Sequence, residues 1–287
     1  MINRKMLIAL IVLSSFGLCT IIYGVDLSYP YGGTEFDSKM SDHKMIAATI
    51  PFMNNKGFVQ IISYNTWARG TRNGFMYLIN EGYGPREEPN ADQRIKENMN
   101  RITQGIANNA DTIFAVQEWS DNDLQYMEKE ILTKKLSFLC AKTKGERFNN
   151  CFVYNPLNFE IVYNSTDDIQ SFNNLKWENE REENGLQKDR YLHAKFIHNS
   201  THETLDVVNV HLKTESAPDD IAKALDNHVL IDCQGQGVCV TVGDFNADLS
   251  NIKLENSTAL PSIDGHLWEL KNSEAKTKTA DAIVYMR

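Results

Sequence analysis

The stretch VCVTVGDFNADL, residues 238–249, decides how the chain is read, because a nearly continuous apolar run passes straight into a glycine, two acids and an amide. A run of that length between turn residues reads as a strand covered on both faces. Asp244 and Asn246 flank Phe245 and would point to one side of the strand end or of the turn after it. A carboxylate and an amide so placed can orient a water molecule. For an isolated Asp-x-Asn a surface turn is the commoner explanation, so the weight rests on its company, Gly243 and the buried run before it.

The same pattern recurs. FVQIISYNTW (58–67) carries Asn65 at its end, TIFAVQE (112–118) ends on Glu118, LDVVNVHL (205–212) carries His211, and TADAIVYMR (279–287) has Asp281 at its head. Strand ends are where α/β sheets open their ligand crevice. Glu118, with Asn65 and one of the aspartates, offers hard oxygen ligands of the kind Mg²⁺ takes, and no soft-ligand set competes. Imidazole titrates near neutral pH, so His211 could donate a proton or a hydrogen bond to a phosphate oxygen. Taken alone, it would more often be a structural histidine.

Between these strands, residues 91–108 show Ile95, Met99, Ile102 and Ile106 at helical spacing, and a second helix is expected over 122–132. KLSFLCA with NCFVYNP, and RYLHAKFIHN with LDVVNVHL, read as hairpins, LNFEIVYN as a further strand, and 218–233 as a helix. Residues 69–91 and the charge run 177–189 read as loops, and the stretch after 249 as a helix-poor loop region. KMIAATIPF (44–52) adds a strand near the start. Strands alternating with single helices indicate one α/β domain without internal repeats.

Composition sets bounds. The 287 residues are 42% hydrophobic and 23% charged, with a net charge of −9. MINRK followed by an apolar stretch and small residues near Gly24 reads as a signal peptide over 1–24, with the domain over 25–287 and a secreted product. The rival is an uncleaved anchor over 6–24. Without residues 1–24 the chain has 27 basic and 38 acidic side chains, or −11, which disfavours non-specific adhesion to nucleic acid or anionic lipid. Four cysteines then remain, and local pairs 140–151 and 233–239 are expected among three connectivities. Asn164, Asn199 and Asn256 head N-S-T sequons, expected on surface loops.

SYNTW, AVQE, NVHL, VGDFNAD and ADAIVY, in this order from residue 63 to 285, resemble the endonuclease/exonuclease/phosphatase superfamily. GDFNAD is especially similar to pancreatic-type secreted deoxyribonucleases. The cytolethal distending toxin B subunit and the bacterial sphingomyelinases share the skeleton. The resemblance implies a four-layer α/β sandwich, with two mixed β-sheets packed face to face and flanked by helices, and metal-assisted phosphoester hydrolysis. It implies metal-site places for Asn65 and Glu118, a phosphate-contacting role for His211, and a water-orienting role for Asp244 with Asn246. Asp281 matches the acid that bonds a second histidine, and Arg190 is loosely similar to a phosphate-reaching arginine. The expected cofactor is Mg²⁺, with Mn²⁺ or Ca²⁺ as alternates. The expected partner is a phosphodiester, DNA ahead of phospholipid, acted on by a monomer with no stable protein partner. The alternatives are a sphingomyelinase or phosphoinositide phosphatase of the same fold, and an inactive binding module.

In the superfamily the second histidine follows Asp281's strand in a Ser-Asp-His at the head of a last strand, and here Arg287 comes first. Ser41-Asp42-His43 stands instead before KMIAATIPF, directly ahead of the strand bearing Asn65. Either the terminal strand is lost, or it has moved to the N-terminal end by circular permutation, with residues 25–56 as the permuted strand and connection. The second reading is preferred. It pairs His43 with Asp281 and turns Asp42 toward the metal or the attacking water. If the match is chance, His43 is a polar residue at the edge of a strand.

Overall fold

A computed structural model describes residues 24–26, 45–53, 56–66, 91–142, 148–165, 191–212, 221, 223–225, 237–246, 258–261, 266–269, 275–278 and 281–286, and among these residues the chain forms fourteen strands, two helices described over their full length and part of a further helical segment. The strands β1 (Gly24–Asp26), β2 (Ile46–Pro51), β3 (Phe58–Asn65), β4 (Thr112–Ser120), β5 (Ser137–Lys142) and β6 (Phe148–Tyr154) form one sheet in the order β1-β2-β3-β4-β6-β5. A second sheet has the order β11-β14-β10-β9-β8-β7. It comprises β7 (Phe159–Ser165), β8 (Tyr191–His198), β9 (Thr204–His211), β10 (Val238–Asp244), β11 (Thr258–Pro261) and β14 (Asp281–Met286). The pair β12 (His266–Glu269) and β13 (Ala275–Lys278) stands as a separate ribbon.

Both sheets are mixed. β3 and β4 run parallel, joined through α1 (Ala91–Asn108), and β9 and β10 also run parallel, while the other neighbours are antiparallel. Ile61, Ile113, Ala115 and Phe152 of the first sheet and Phe196, Val207, Val240 and Val242 of the second share one buried core between the sheets. Phe196 meets Phe152 and Tyr154 edge-on, with ring centroids 5.4 Å away in both cases, a geometry that adds to the burial of area. The other face of the first sheet, with Ile62, Tyr64, Phe114 and Val116, packs on Met99, Ile102 and Ile106 of α1 and on Met127 and Ile131 of α2 (Asp121–Thr133). Gly105 permits that approach, because a Cβ there would lie 2.7 Å from Phe114.

The expected α/β sandwich is therefore present, and the hairpins β5–β6 and β8–β9 are in place. The region after 249 differs from the loop expected of it: it supplies β11, β12 and β13, four-residue strands too short and too polar to show a period. β1 is a further strand beyond those expected, its three residues pairing antiparallel with Ile46–Ala48 of β2. Of the helix expected over 218–233, the described residues 221 and 223–225 are helical. No helix among the described residues is long and apolar enough to cross a membrane.

Cys140 and Cys151 face each other across β5 and β6 and form the expected disulfide. Cys239 is disulfide-bonded too, but Cys233, its expected partner, lies outside the described residues. Asn164 lies in edge strand β7 rather than a loop and is exposed. Asn199 does occupy a turn, yet its amide donates to the carbonyls of Pro156 (3.2 Å) and Leu157 (3.0 Å). Asn256 lies outside the described residues.

At the end of the sandwich where β3 begins, His198 joins the two layers. Its Nε2 lies 3.0 Å from Asp111 Oδ1 and its Nδ1 2.8 Å from Thr201 Oγ1, and its ring packs on Phe52 and Phe159. His193 is bonded to Asp206 on the other face of the second sheet. Both histidines are buried and tie neighbouring elements together away from the strand ends that carry His211.

Candidate metal centre

Parallel pairing puts the C-terminal ends of neighbouring strands at the same end of a sheet, and here it does so twice. In the first sheet Asn65 is opposite Gln117, so Glu118 is the next residue beyond it. In the second, His211 is opposite Asp244, and Asp244 is opposite Asp281 on its other side, a single rung across three strands. Facing the sheets then brings the two sets together.

Glu118 is aimed by a β-bulge. The β4–β6 register runs from Val116 opposite Cys151 to Trp119 opposite Asn149, so Gln117 and Glu118 together oppose Asn150. Glu118 takes φ 57°, a left-handed conformation costly for a residue with a Cβ and concentrated at functional positions. Asp244 depends on Gly243, which sits at φ 139° where a Cβ would lie 2.0 Å from the carbonyl oxygen of Val210. Only glycine allows β10 to run this close to β9.

The side chains converge. Asn65, fully buried, donates from Nδ2 to Glu118 Oε1 at 3.2 Å and to Asp244 Oδ2 at 3.0 Å. His211 Nε2 lies 3.5 Å from the same Glu118 oxygen and 3.8 Å from the same Asp244 oxygen. The ligand atoms of Glu118, His211 and Asp244 all fall within 4.8 Å of one another. Two largely buried carboxylates this close repel each other when ionised, and the amide between them offsets part of that. A divalent cation would offset far more, and carboxylate oxygens are the donors that hard cations take, so the group fits the metal that the sequence implied.

Asn246 reaches the site from just beyond the strand, the second of the two placements expected of it. β10 ends at Asp244, and Asn246 turns into the left-handed region at φ 50°, a conformation asparagine tolerates. Its backbone N–H donates to Asp244 Oδ1 at 2.8 Å, and its side-chain amide donates to the Leu212 carbonyl at 2.6 Å. Each oxygen of Asp244 therefore has a donor, one from Asn65 and one from Asn246.

Asp42, His43 and Arg190 lie outside the described residues, and of Asp281 only the backbone position is described. Sequence reasoning missed Gln117 and Asn209, both fully buried beneath the site. The signal was present: Asn209 stands two residues before His211 in an apolar strand and so shares its face.

No family model matches the chain, and no curated protein matches it in sequence. The fold itself is that of the endonuclease/exonuclease/phosphatase structures. An endonuclease/exonuclease/phosphatase family protein from Bacteroides thetaiotaomicron is similar with a TM-score of 0.52 and 13% identity over 79% of this chain and 82% of that one. A mannosyl-6-phosphatase from the same species is similar with a TM-score of 0.52 and 13% identity over 79% and 85%. ANGEL2, described as a 2',3'-cyclic phosphatase, is similar with a TM-score of 0.51 and 12% identity over 79% and 82%.

Proposed function

We propose that this protein is a secreted, divalent-cation-dependent phosphoric ester hydrolase, acting on a phosphodiester and most readily on DNA. The observation that carries the reaction type is the meeting of Glu118, Asp244, Asn65 and His211 at the strand ends of this fold. Glu118 would hold Mg²⁺, joined by Asn65 only if its amide turns to offer Oδ1 in place of the Nδ2 that now donates to Glu118 and Asp244; when bound, the ion would neutralise charge on phosphoryl oxygens. Asp244, held by the Asn246 N–H, accepts the proton of the attacking water as its oxygen bonds to phosphorus, the ester P–O bond opposite breaks, and the departing oxygen takes a proton from solvent. His211 donates from Nε2 to a non-bridging phosphoryl oxygen as charge builds on it.

DNA is favoured by the GDFNAD run and its likeness to secreted deoxyribonucleases. The disulfides at Cys140–Cys151 and Cys239 support passage of the chain to an oxidising compartment. The phosphatases among the structural neighbours make phosphomonoesters a necessary arm of the test. Supercoiled DNA, sphingomyelin vesicles, inositol phosphates and mannose 6-phosphate should be offered in MgCl₂, with chelator controls. Nicking of DNA that stops on chelation is expected. Turnover of another arm alone would move the substrate and keep the reaction, whereas folded protein inert toward all four would end the reading.

The second histidine of the site is assigned to His43, paired with Asp281. β2 runs antiparallel to β3 with Ile46 opposite Ser63, so the chain enters β2 at the end of the sheet where Asn65 stands. Asp281 begins β14 at the level of Asp244. In a double-mutant cycle, His43→Ala and Asp281→Asn should each slow turnover, and the double variant should be little slower than either alone. Fully additive losses would separate the two residues.

A further inference from the structure

Beneath the candidate site lies a buried amide that the proposed chemistry does not use. Asn209 is fully buried in β9 and crosses the inter-sheet space to the first sheet. Its Nδ2 donates to Val116 O at 3.0 Å and to Cys151 O at 2.9 Å, and its Oδ1 accepts from Gln117 Nε2 at 2.7 Å. Gln117 Nε2 also donates to Ala115 O at 3.0 Å, and Ser63 Oγ donates to Gln117 Oε1 at 3.4 Å.

The position of these partners gives the amide its meaning. Val116 and Cys151 form the last regular rung of β4 and β6 before the bulge, and Gln117 and Glu118 are the bulged residues. Asn209 thus binds both carbonyls of that rung and the side chain of the first bulged residue. It stands two residues from His211 on the same strand face. One side chain therefore ties the element that aims Glu118 to the strand that carries His211.

We propose that Asn209 is a positioning residue: by clamping the β4 bulge from the opposite sheet, it sets Glu118, the carboxylate proposed to hold the divalent cation, at its distance from His211 and Asp244. The inference rests on the proposed function and deepens it. Both donors of the amide are used and its oxygen is occupied, so the network is saturated and rigid. Residues that hold metal ligands from behind matter for the metal nearly as much as the ligands, typically by about 10–100-fold in affinity.

The test uses the full chain, Mg²⁺ titration by calorimetry, and backbone amide exchange over 112–120, with Asn209→Ala, Asn209→Ser and the core variant Ile50→Val. Ile50 is fully buried in the inter-sheet core and pairs with Val59 at the far end of β3. The alanine variant should weaken Mg²⁺ binding by about tenfold or more, and serine, which keeps one donor, by less. Exchange over 112–120 should quicken in both, while Ile50→Val should lose stability and keep wild-type affinity. If alanine prevents folding, the serine variant is read in its place. Wild-type affinity and exchange in a folded Asn209 variant would overturn the proposal. A wild type that binds no Mg²⁺ would instead remove the proposed function, and amide exchange alone would then decide: faster exchange supports the clamp and unchanged exchange overturns it.

Discussion

Glu118→Gln is expected to lower turnover by at least about 10²-fold while leaving the protein folded. The substitution keeps the shape of the side chain at a position whose left-handed backbone already accepts a non-glycine residue. It also keeps an oxygen for the Asn65 amide, now 3.2 Å from Glu118 Oε1, so the bulge has no reason to move. What it removes is one of the two negative charges facing a cation. The stability consequence has a definite sign. With chelator present, the wild type carries the repulsion between Glu118 and Asp244, so the variant should melt at the same temperature or higher. Adding Mg²⁺ should raise the melting temperature of the wild type, because a ligand that binds only the folded state stabilises it, and should do little for the variant. Wild-type turnover in Glu118→Gln would remove the carboxylate from the mechanism.

Gly243→Ala is expected to have the largest effect on the fold. A Cβ at this position would lie 2.0 Å from Val210 O and 3.0 Å from Val210 N and C, all backbone atoms of a strand inside the sheet. No side-chain rotation can relieve that contact, so β10 would have to separate from β9 or abandon φ 139°. Either change breaks the ladder at Gly243–Asp244, the rung that sets His211 beside Asp244. A cost above about 4 kcal/mol is expected, a large share of the roughly 5–15 kcal/mol by which domains are stable. Urea denaturation would measure it, or the soluble yield if the variant does not fold. A variant within 1 kcal/mol, as an order-of-magnitude threshold for a tolerated change, would mean that the strands are not held this closely.

The two predictions show why some of the site could be read from residues alone. Asn65, Glu118, His211 and Asp244 are polar residues closing apolar runs, and the physical reason for that pattern, a crevice at parallel strand ends, needs no coordinates. Gly243 was visible as a glycine but not as a close approach, because the clash involves Val210, thirty-three positions earlier. The bulge at Gln117–Glu118 had no local sign, since its extra residue is defined only against Asn150 of another strand. Asn246 falls beyond the strand end, within the expectation of strand or following turn, but the left-handed backbone that binds Asp244 through its own N–H has no sign in the residue pattern. β12 and β13 escaped because HLWE and AKTK are four-residue strands whose order comes from pairing rather than from an apolar face. Asn209 was overlooked although it sits two residues from His211, since a buried asparagine in a strand announces a partner without naming it.

The most direct test of the account is diffraction from crystals grown with Mn²⁺ and inorganic phosphate, with the metal located by its anomalous signal. The account predicts a Mn²⁺ peak in contact with the Glu118 carboxylate and a phosphate within hydrogen-bond distance of His211 Nε2. Metal and phosphate bound together elsewhere on the protein, with the strand ends at Asn65, Glu118, His211 and Asp244 holding neither, would contradict it.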